Sequence, residues 1–255
     1  MGALWHSFEK MASSFADAVF LSLIDEDRYQ YLLRGLGNSL KLTGIAAVVG
    51  VILGLLLAIA KLQDVDNLTG NRFVVGLRRL LAGFANGYIS VVRGTPAVVQ
   101  LLVLYFVVFS RVLKNIPLFE HIPDLVIAGF AFGINSGAYV AEIIRAGILA
   151  VDRGQTEAGR SLGLSAGKTM IYIVIPQAVK NVLPALGNEF IVLLKETSVA
   201  GYIGLADLTK GAQTIGSVTY NFTVPLLFAA YLYFLMTTVL STGLGKLERR
   251  MRKSD

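Results

Sequence analysis

The sequence predicts an all-α integral membrane protein with five transmembrane helices, an N-terminal interfacial helix and a short cytoplasmic helix. Three observations lead there. Hydrophobic residues make up 55% of the 255-residue chain and charged residues only 16%, whereas about a quarter of a soluble globule is charged. Mean hydropathy is +0.64. The apolar residues come in runs of membrane-spanning length, and lysines and arginines collect between those runs.

Residues 1–34 carry Glu9, Asp17, Asp25, Glu26 and Asp27 against Lys10, Arg28 and Arg34. Within them Met11–Ile24 is apolar, but about 14 residues reach only ~21 Å as a helix and include Asp17. An interfacial amphipathic helix suits this segment, and Lys10 alone is a poor signal-peptide n-region. Residues 35–245 read as one transmembrane domain and 246–255 as a basic cytoplasmic tail.

The first span is Leu42–Ala60, uncharged between Lys41 and Lys61. About 19 residues cover roughly 28 Å, close to the ~30 Å hydrocarbon core. The second, Gly94–Ser110, is preceded by a helical run Leu80–Val92 and interrupted at Arg93-Gly94-Thr95-Pro96. Proline there either kinks one helix or starts another. Leu125–Ala141 is the third span, and a weaker one around Leu183–Ala206 is the fourth, entered at Pro184. The long uncharged stretch Gly211–Gly245, centred on Val224–Leu240, is the fifth.

Orientation follows from the basic residues. Lys61, Arg72, Arg78 and Arg79 follow the first span. Arg145, Arg153, Arg160, Lys168 and Lys180 occupy the central segment, and Lys246, Arg249, Arg250, Arg252 and Lys253 the tail. Five spans put these three segments on one side, so the N-terminus is expected outside and the C-terminus inside. The net charge of +6 is then topology, and no nucleic-acid partner is implied. With no cysteine in the chain, disulfides and thiolate metal sites are excluded.

The central segment, residues 152–180, is polar and glycine-punctuated. Gly154 precedes a short helix, Gln155–Leu162, and Gly163 suits the left-handed conformation that ends it. Ala158, Gly159 and Ser161 are small enough for close approach, and Ala158 and Leu162 form an i, i+4 apolar strip. Two turns of helix do not stand alone in water, so this one docks on something. Ser165 caps the next helix, expected to stop at Ile175 before Pro176. Gly163-Leu-Ser-Ala-Gly-Lys-Thr has three residues between its glycines where a phosphate-binding loop needs four, so no nucleotide site is read there. His6 and His121 lack metal-ligand spacing, and no hydrolase signature occurs. The chain is not expected to be an enzyme.

Two spans carry polar stripes. Asn188, Glu189, Lys195 and Glu196 lie in the fourth, where each ionised group costs roughly 2.5–3.5 kcal/mol at the centre of a lone helix. Glu189 and Glu196 share a face, as do Asn188 and Lys195. These residues are a polar pathway or gate, or Lys195 is paired with an acid elsewhere. In the third, Asn135, Tyr139 and Glu142 fall at i, i+4 and i+7, with Glu142 three residues before Arg145 and suited to pair with it. Gly129, Gly133 and Gly137 give that helix a small-residue packing face.

At this point the residues resemble a family, the permease subunits of bacterial ABC importers for polar amino acids, the branch with the histidine and glutamine permeases. The hallmark Glu-Ala-Ala motif with its later glycine appears as Glu157-Ala158-Gly159 and Gly163. Also similar are Arg93-Gly94-Thr95-Pro96 with Gln100, Ala138-Tyr139 with Glu142 and Arg145, Gly154-Gln155, Pro176-Gln177-Ala178, Leu183-Pro184 with Asn188, and Lys195-Glu196-Thr197-Ser198. The resemblance covers roughly residues 30 to 250. Gly159 replaces alanine and Asp152 stands where proline is frequent.

The resemblance implies a type I importer permease fold in the bacterial cytoplasmic membrane, dimerising with itself or a sister permease. It implies two ABC ATPase subunits that hold ATP and magnesium, and an extracytoplasmic amino-acid-binding protein. Gln155, Glu157, Ala158, Gly159, Ser161, Leu162 and Gly163 would form the coupling helix. Thr95, Gln100, Asn135, Tyr139, Asn188, Glu189 and Glu196 are the candidate substrate pathway, and Glu142, Arg145 and Lys195 a structural or gate pairing. Alternatives are a permease for another small solute and a stand-alone secondary transporter.

Overall fold

A computed structural model describes residues 6, 13–62, 71–117 and 119–252. Lys10, the first two residues of the Met11–Ile24 run, and Lys253 lie outside the described residues. Among the described residues all regular structure is helical. Residues 13–24 form α1, ending in a π-helical turn Phe20–Ile24. There follow α2, Tyr29–Lys61; α3, Arg72–Arg93; α4, Ala97–Asn115; α5, Asp124–Leu149; and α6, Arg153–Ser161. Then come α7, Ala166–Ile203; α8, Leu208–Thr219; and α9, Thr223–Arg252. Five of these (α2, α4, α5, α7 and α9) are long and apolar enough to cross a bilayer.

Several boundaries differ from the sequence reading, each for a local reason. At 33 residues, α2 is about 50 Å long and begins well before the apolar run at Leu42. At the interruption α3 ends at Arg93, and Pro96 is the N-cap of α4, so proline starts a helix and kinks none. The fourth span does not enter at Pro184, and the helix begun at Ser165 does not stop before Pro176: α7 runs through both prolines. A π turn, Met170–Val174, precedes Pro176, and such turns absorb the lost donor and the steric clash. The stretch Gly211–Gly245 is two helices, since Tyr220 takes a left-handed conformation (φ 54°). Asn221 Oδ1 then accepts from the Thr223 amide at 3.1 Å to start α9.

The chain divides into two compact units. The first comprises residues 1–42 and 194–239. Its core holds Leu23 of α1, Leu32 of α2, Leu208, Ala212 and Ile215 of α8, and Val224 and Ala229 of α9. Thus α1 buries Ser22 and Leu23 in protein while Phe15, Phe20 and Ile24 stay exposed. Asp207 is fully buried and caps α8, accepting from the Lys210 amide at 2.6 Å and the Gly201 amide at 3.3 Å. Ser39 Oγ accepts from the Leu208 amide at 3.2 Å, and Asn38 donates to the Ala206 carbonyl at 2.9 Å.

The second unit comprises residues 43–193 and 240–255. Here α2 and α5 pack through glycine. Gly129, Gly133 and Gly137 of α5 sit against Ile45, Val49 and Leu53 of α2, and Gly54 of α2 sits against Val140. Both sets step by four residues, so side chains of one helix fill hollows in the other. Beside this seam Leu57, Ala138 and Ala141 pack with Ala85, Ile89 and Val92 of α3. Helix α3 keeps Phe73, Leu80 and Phe84 exposed on its other side.

Candidate functional site

Two polar regions of the second unit answer to the sequence predictions. The first is α6. Asp152 is its N-cap, accepting from the Gly154 amide at 2.6 Å. Its C-terminus closes with paired bonds, Gly163 N–H to the Arg160 carbonyl and Leu164 N–H to the Gly159 carbonyl, around Gly163 at φ +83°. This is a Schellman closure, and the left-handed position favours glycine. The helix is held from beneath: Gly159 is buried, and a side chain there would meet Thr169 and Ile173 of α7. Gln177 Nε2 donates to Gln155 Oε1 at 3.3 Å and to the Ile173 carbonyl at 3.0 Å.

Opposite that contact, Glu157, Ala158, Arg160, Ser161 and Leu162 are all exposed, and Leu162 is 82% exposed. The small residues of α6 therefore divide by role. Gly159 admits the chain's own α7. Ala158 and Ser161 leave the outer face flat, with Leu162 projecting from its end. Asp152, read only as a departure from the family pattern, supplies the cap.

The second region surrounds the break between α3 and α4. A helix end leaves its last carbonyls unpaired, and in a bilayer such groups need protein partners. Thr95 Oγ1 donates to the Val91 carbonyl at 2.9 Å. Gln100 Nε2 donates to the Val92 carbonyl at 2.6 Å and lies 2.6 Å from Thr95 Oγ1. Asn135, buried in α5, donates to Gln100 Oε1 at 2.8 Å. The Arg93 guanidinium lies 5.5 Å from the Tyr139 ring centre, a cation–π contact. Tyr88 closes the set by donating to the Ile134 carbonyl at 2.5 Å.

The structure thus brings Thr95, Gln100 and Asn135 together by direct hydrogen bonds and sets Tyr139 on Arg93. Glu189 accepts from Ser136 Oγ at 2.8 Å, on a different face of α5. Asn188 is exposed on α7. Lys195 is exposed and Glu196 half-buried, both within the first unit. Glu142 pairs with Arg145 at 2.8 Å and also with Lys61 at the end of α2. The sequence reading found the first partner and missed the second, although Lys61 was already marked as the basic flank of the first span. It also missed Asp207, whose signal was an aspartate directly before the helical apolar repeat Leu208, Ala212 and Ile215. Burial pushes the Asp207 carboxyl up to about 6, against backbone donors that pull it down.

Comparison with known proteins bears on the family and the fold. Residues 50–253 match the family described as binding-protein-dependent transport system inner membrane component. The arginine transport system permease protein ArtQ of Bacillus subtilis is 38% identical over 228 residues, covering 88% of this chain and 94% of that protein. A putative glutamine transport system permease protein GlnP of Rickettsia conorii is 38% identical over 222 residues, covering 87% and 93%. A crystal structure of an amino acid ABC transporter with histidines superposes with a TM-score of 0.75 at 44% identity, covering 91% of this chain and 98% of that one. The MetNI methionine ABC transporter in an inward-facing conformation shares the fold, with a TM-score of 0.68 at 18% identity over 87% and 96%.

Proposed function

The chain belongs to the family of binding-protein-dependent transport system inner membrane components, and from that premise we propose that it is the transmembrane subunit of an ATP-driven importer of polar amino acids. The observation that carries the mechanism is α6, pinned to its own chain through Gly159 and presenting Glu157, Ala158, Ser161 and Leu162 outward. That face fits a surface groove on an ATPase subunit. Glu157 lies at the middle of the helix, exposed, where its carboxylate can meet an ATPase cation. ATP with magnesium is held and hydrolysed by two such subunits, one for each permease of a pair.

The transport cycle follows from these attachments. ATP binding draws the ATPase subunits together and moves the two α6 helices with them. Because α6 is bonded to α7, that motion passes directly to a membrane span. The cavity between permeases turns outward to accept substrate from a binding protein, and hydrolysis returns it inward. In this orientation the N-terminus is outside, α6 and the basic tail are in the cytoplasm, and residues 35–245 work as one transmembrane domain. The relatives named for arginine and glutamine and the structure solved with histidines support a polar amino acid as cargo.

Thr95, Gln100 and Asn135 take a bracing role in this reading, since they spend their hydrogen bonds on the helix break. Glu189 and Glu196 remain the residues proposed to meet cargo, with Asn188 and Tyr139 beside the path. Glu142 with Lys61 and Arg145 ties α2 to α5. The test is ATP hydrolysis stimulated by substrate-loaded binding protein in reconstituted transporter. Glu157→Lys and Gly163→Pro are expected to abolish stimulation or assembly while the permease still inserts. Wild-type stimulation in both variants would overturn the reading.

A further inference from the structure

Residues at the end of α4 and the start of α5 border an open cavity of about 240 Å³ that the mechanism above does not use. This is below the ~300–1,000 Å³ typical of sites for drug-sized ligands, so it suits a smaller molecule. Lys114, Glu120 and Asp124 line it, together with the rings of Tyr105, Phe109 and Phe119. Tyr105 faces the Asp124 carboxylate. Among the described residues no ion pair within 4 Å joins Lys114 to either acid. Opposite charges therefore share one cavity without closing on each other, and all three side chains keep exposed surface.

We propose that this cavity is a binding site for a free α-amino acid, separate from the polar faces of α5 and α7. Lys114 takes the carboxylate, and Asp124, oriented by Tyr105, takes the ammonium. One lysine against two carboxylates leaves one negative charge in excess, which selects an amino acid with a cationic side chain. Glu120 meets that side chain, and the aromatic walls add cation–π attraction and cover its methylenes. The inference rests on the importer reading for its ligand class, and on the proposed orientation the cavity opens to the side from which cargo arrives. It would hold cargo released near the membrane surface before entry.

The test is equilibrium binding of radiolabelled L-arginine and L-glutamine to the assembled transporter in nanodiscs, without binding protein. Wild type is expected to bind arginine more tightly than glutamine. Lys114→Ala and Asp124→Asn are expected to weaken both by about tenfold or more, since each leaves a charge of the ligand unpaired. Glu120→Gln is expected to remove the preference for arginine and retain glutamine binding. Unchanged arginine binding in the Lys114 and Asp124 variants would overturn the proposal, as would absence of binding to wild type. So would variants that lose only docking of the binding protein, since the turn would then be a protein contact. Uptake driven by ATP in the same nanodisc-matched liposomes reports the importer reading separately: binding without uptake of any amino acid defeats that reading and leaves the cavity assigned.

Discussion

The break between α3 and α4 and the short helix α6 were written with the same vocabulary: glycine, proline or aspartate at a helix end, an amide or carboxylate nearby, small residues between. They end up opposite in character. At the break, Gln100 and Asn135 turn inward, and the hydrogen bonds run from Val92 through Gln100 to α5. On α6, the caps satisfy the backbone locally, and the remaining side chains face outward. A polar residue in an apolar chain is thus either a brace or an interface. Which it becomes depends on whether its own fold leaves a backbone group that only it can satisfy.

The contrast can be broken most severely in the scaffold both regions share. Gly133→Ile places a branched side chain into the position held by Val49, and α2 and α5 must separate. Overpacking of this kind costs about 1–3 kcal/mol and more where backbones touch. The expected result is loss of folded protein, read by size-exclusion recovery in detergent. Retention of wild-type yield would mean the glycine seam is incidental.

A smaller effect is expected at the brace. Gln100→Leu leaves the Asn135 amide and the Val92 carbonyl unpaired in an apolar setting, at about 1–3 kcal/mol for the orphaned groups. The thermal midpoint should drop clearly, while Ser161→Ala on the outer face of α6 should leave it unchanged. Equal effects would erase the distinction between brace and interface.

The smallest expected effect is at Asp207. Its folded value is raised above the usual carboxylate range to about 6, so its neutral form is favoured in the folded state. Stability from this group is then fully present below about pH 4 and falls as pH rises through 6. Asp207→Asn keeps an N-cap acceptor and should flatten the pH dependence of the thermal midpoint between about pH 4 and 7. An unchanged slope would place the sensitivity elsewhere.

Much of this was legible in the sequence because it depends on short-range rules. Apolar runs gave the five spans, Gly163 announced its left-handed closure, and the i, i+3 spacing of Glu142 and Arg145 gave their pairing. What was hidden depends on partners distant in the chain. Pro176 read as a stop and Pro184 as the entry of a span, because nothing local reveals a π turn at Met170–Val174 or a helix continuous through both. The hydrogen bonds that join Thr95, Gln100 and Asn135 were equally hidden, because spacing shows polarity and cannot show which residues bond one another. Gly159 read as small enough for close approach, and only the fold shows that it is Thr169 and Ile173 that approach it.

The central claim is that the outer face of α6 is covered by an ATPase subunit in the working transporter. The chain has no cysteine, so Leu162→Cys gives it a single thiol at a site 82% exposed. Maleimide labelling is expected to be rapid in the isolated permease and strongly slowed once the ATPase subunits are bound. Equal labelling rates in the two states would contradict the account.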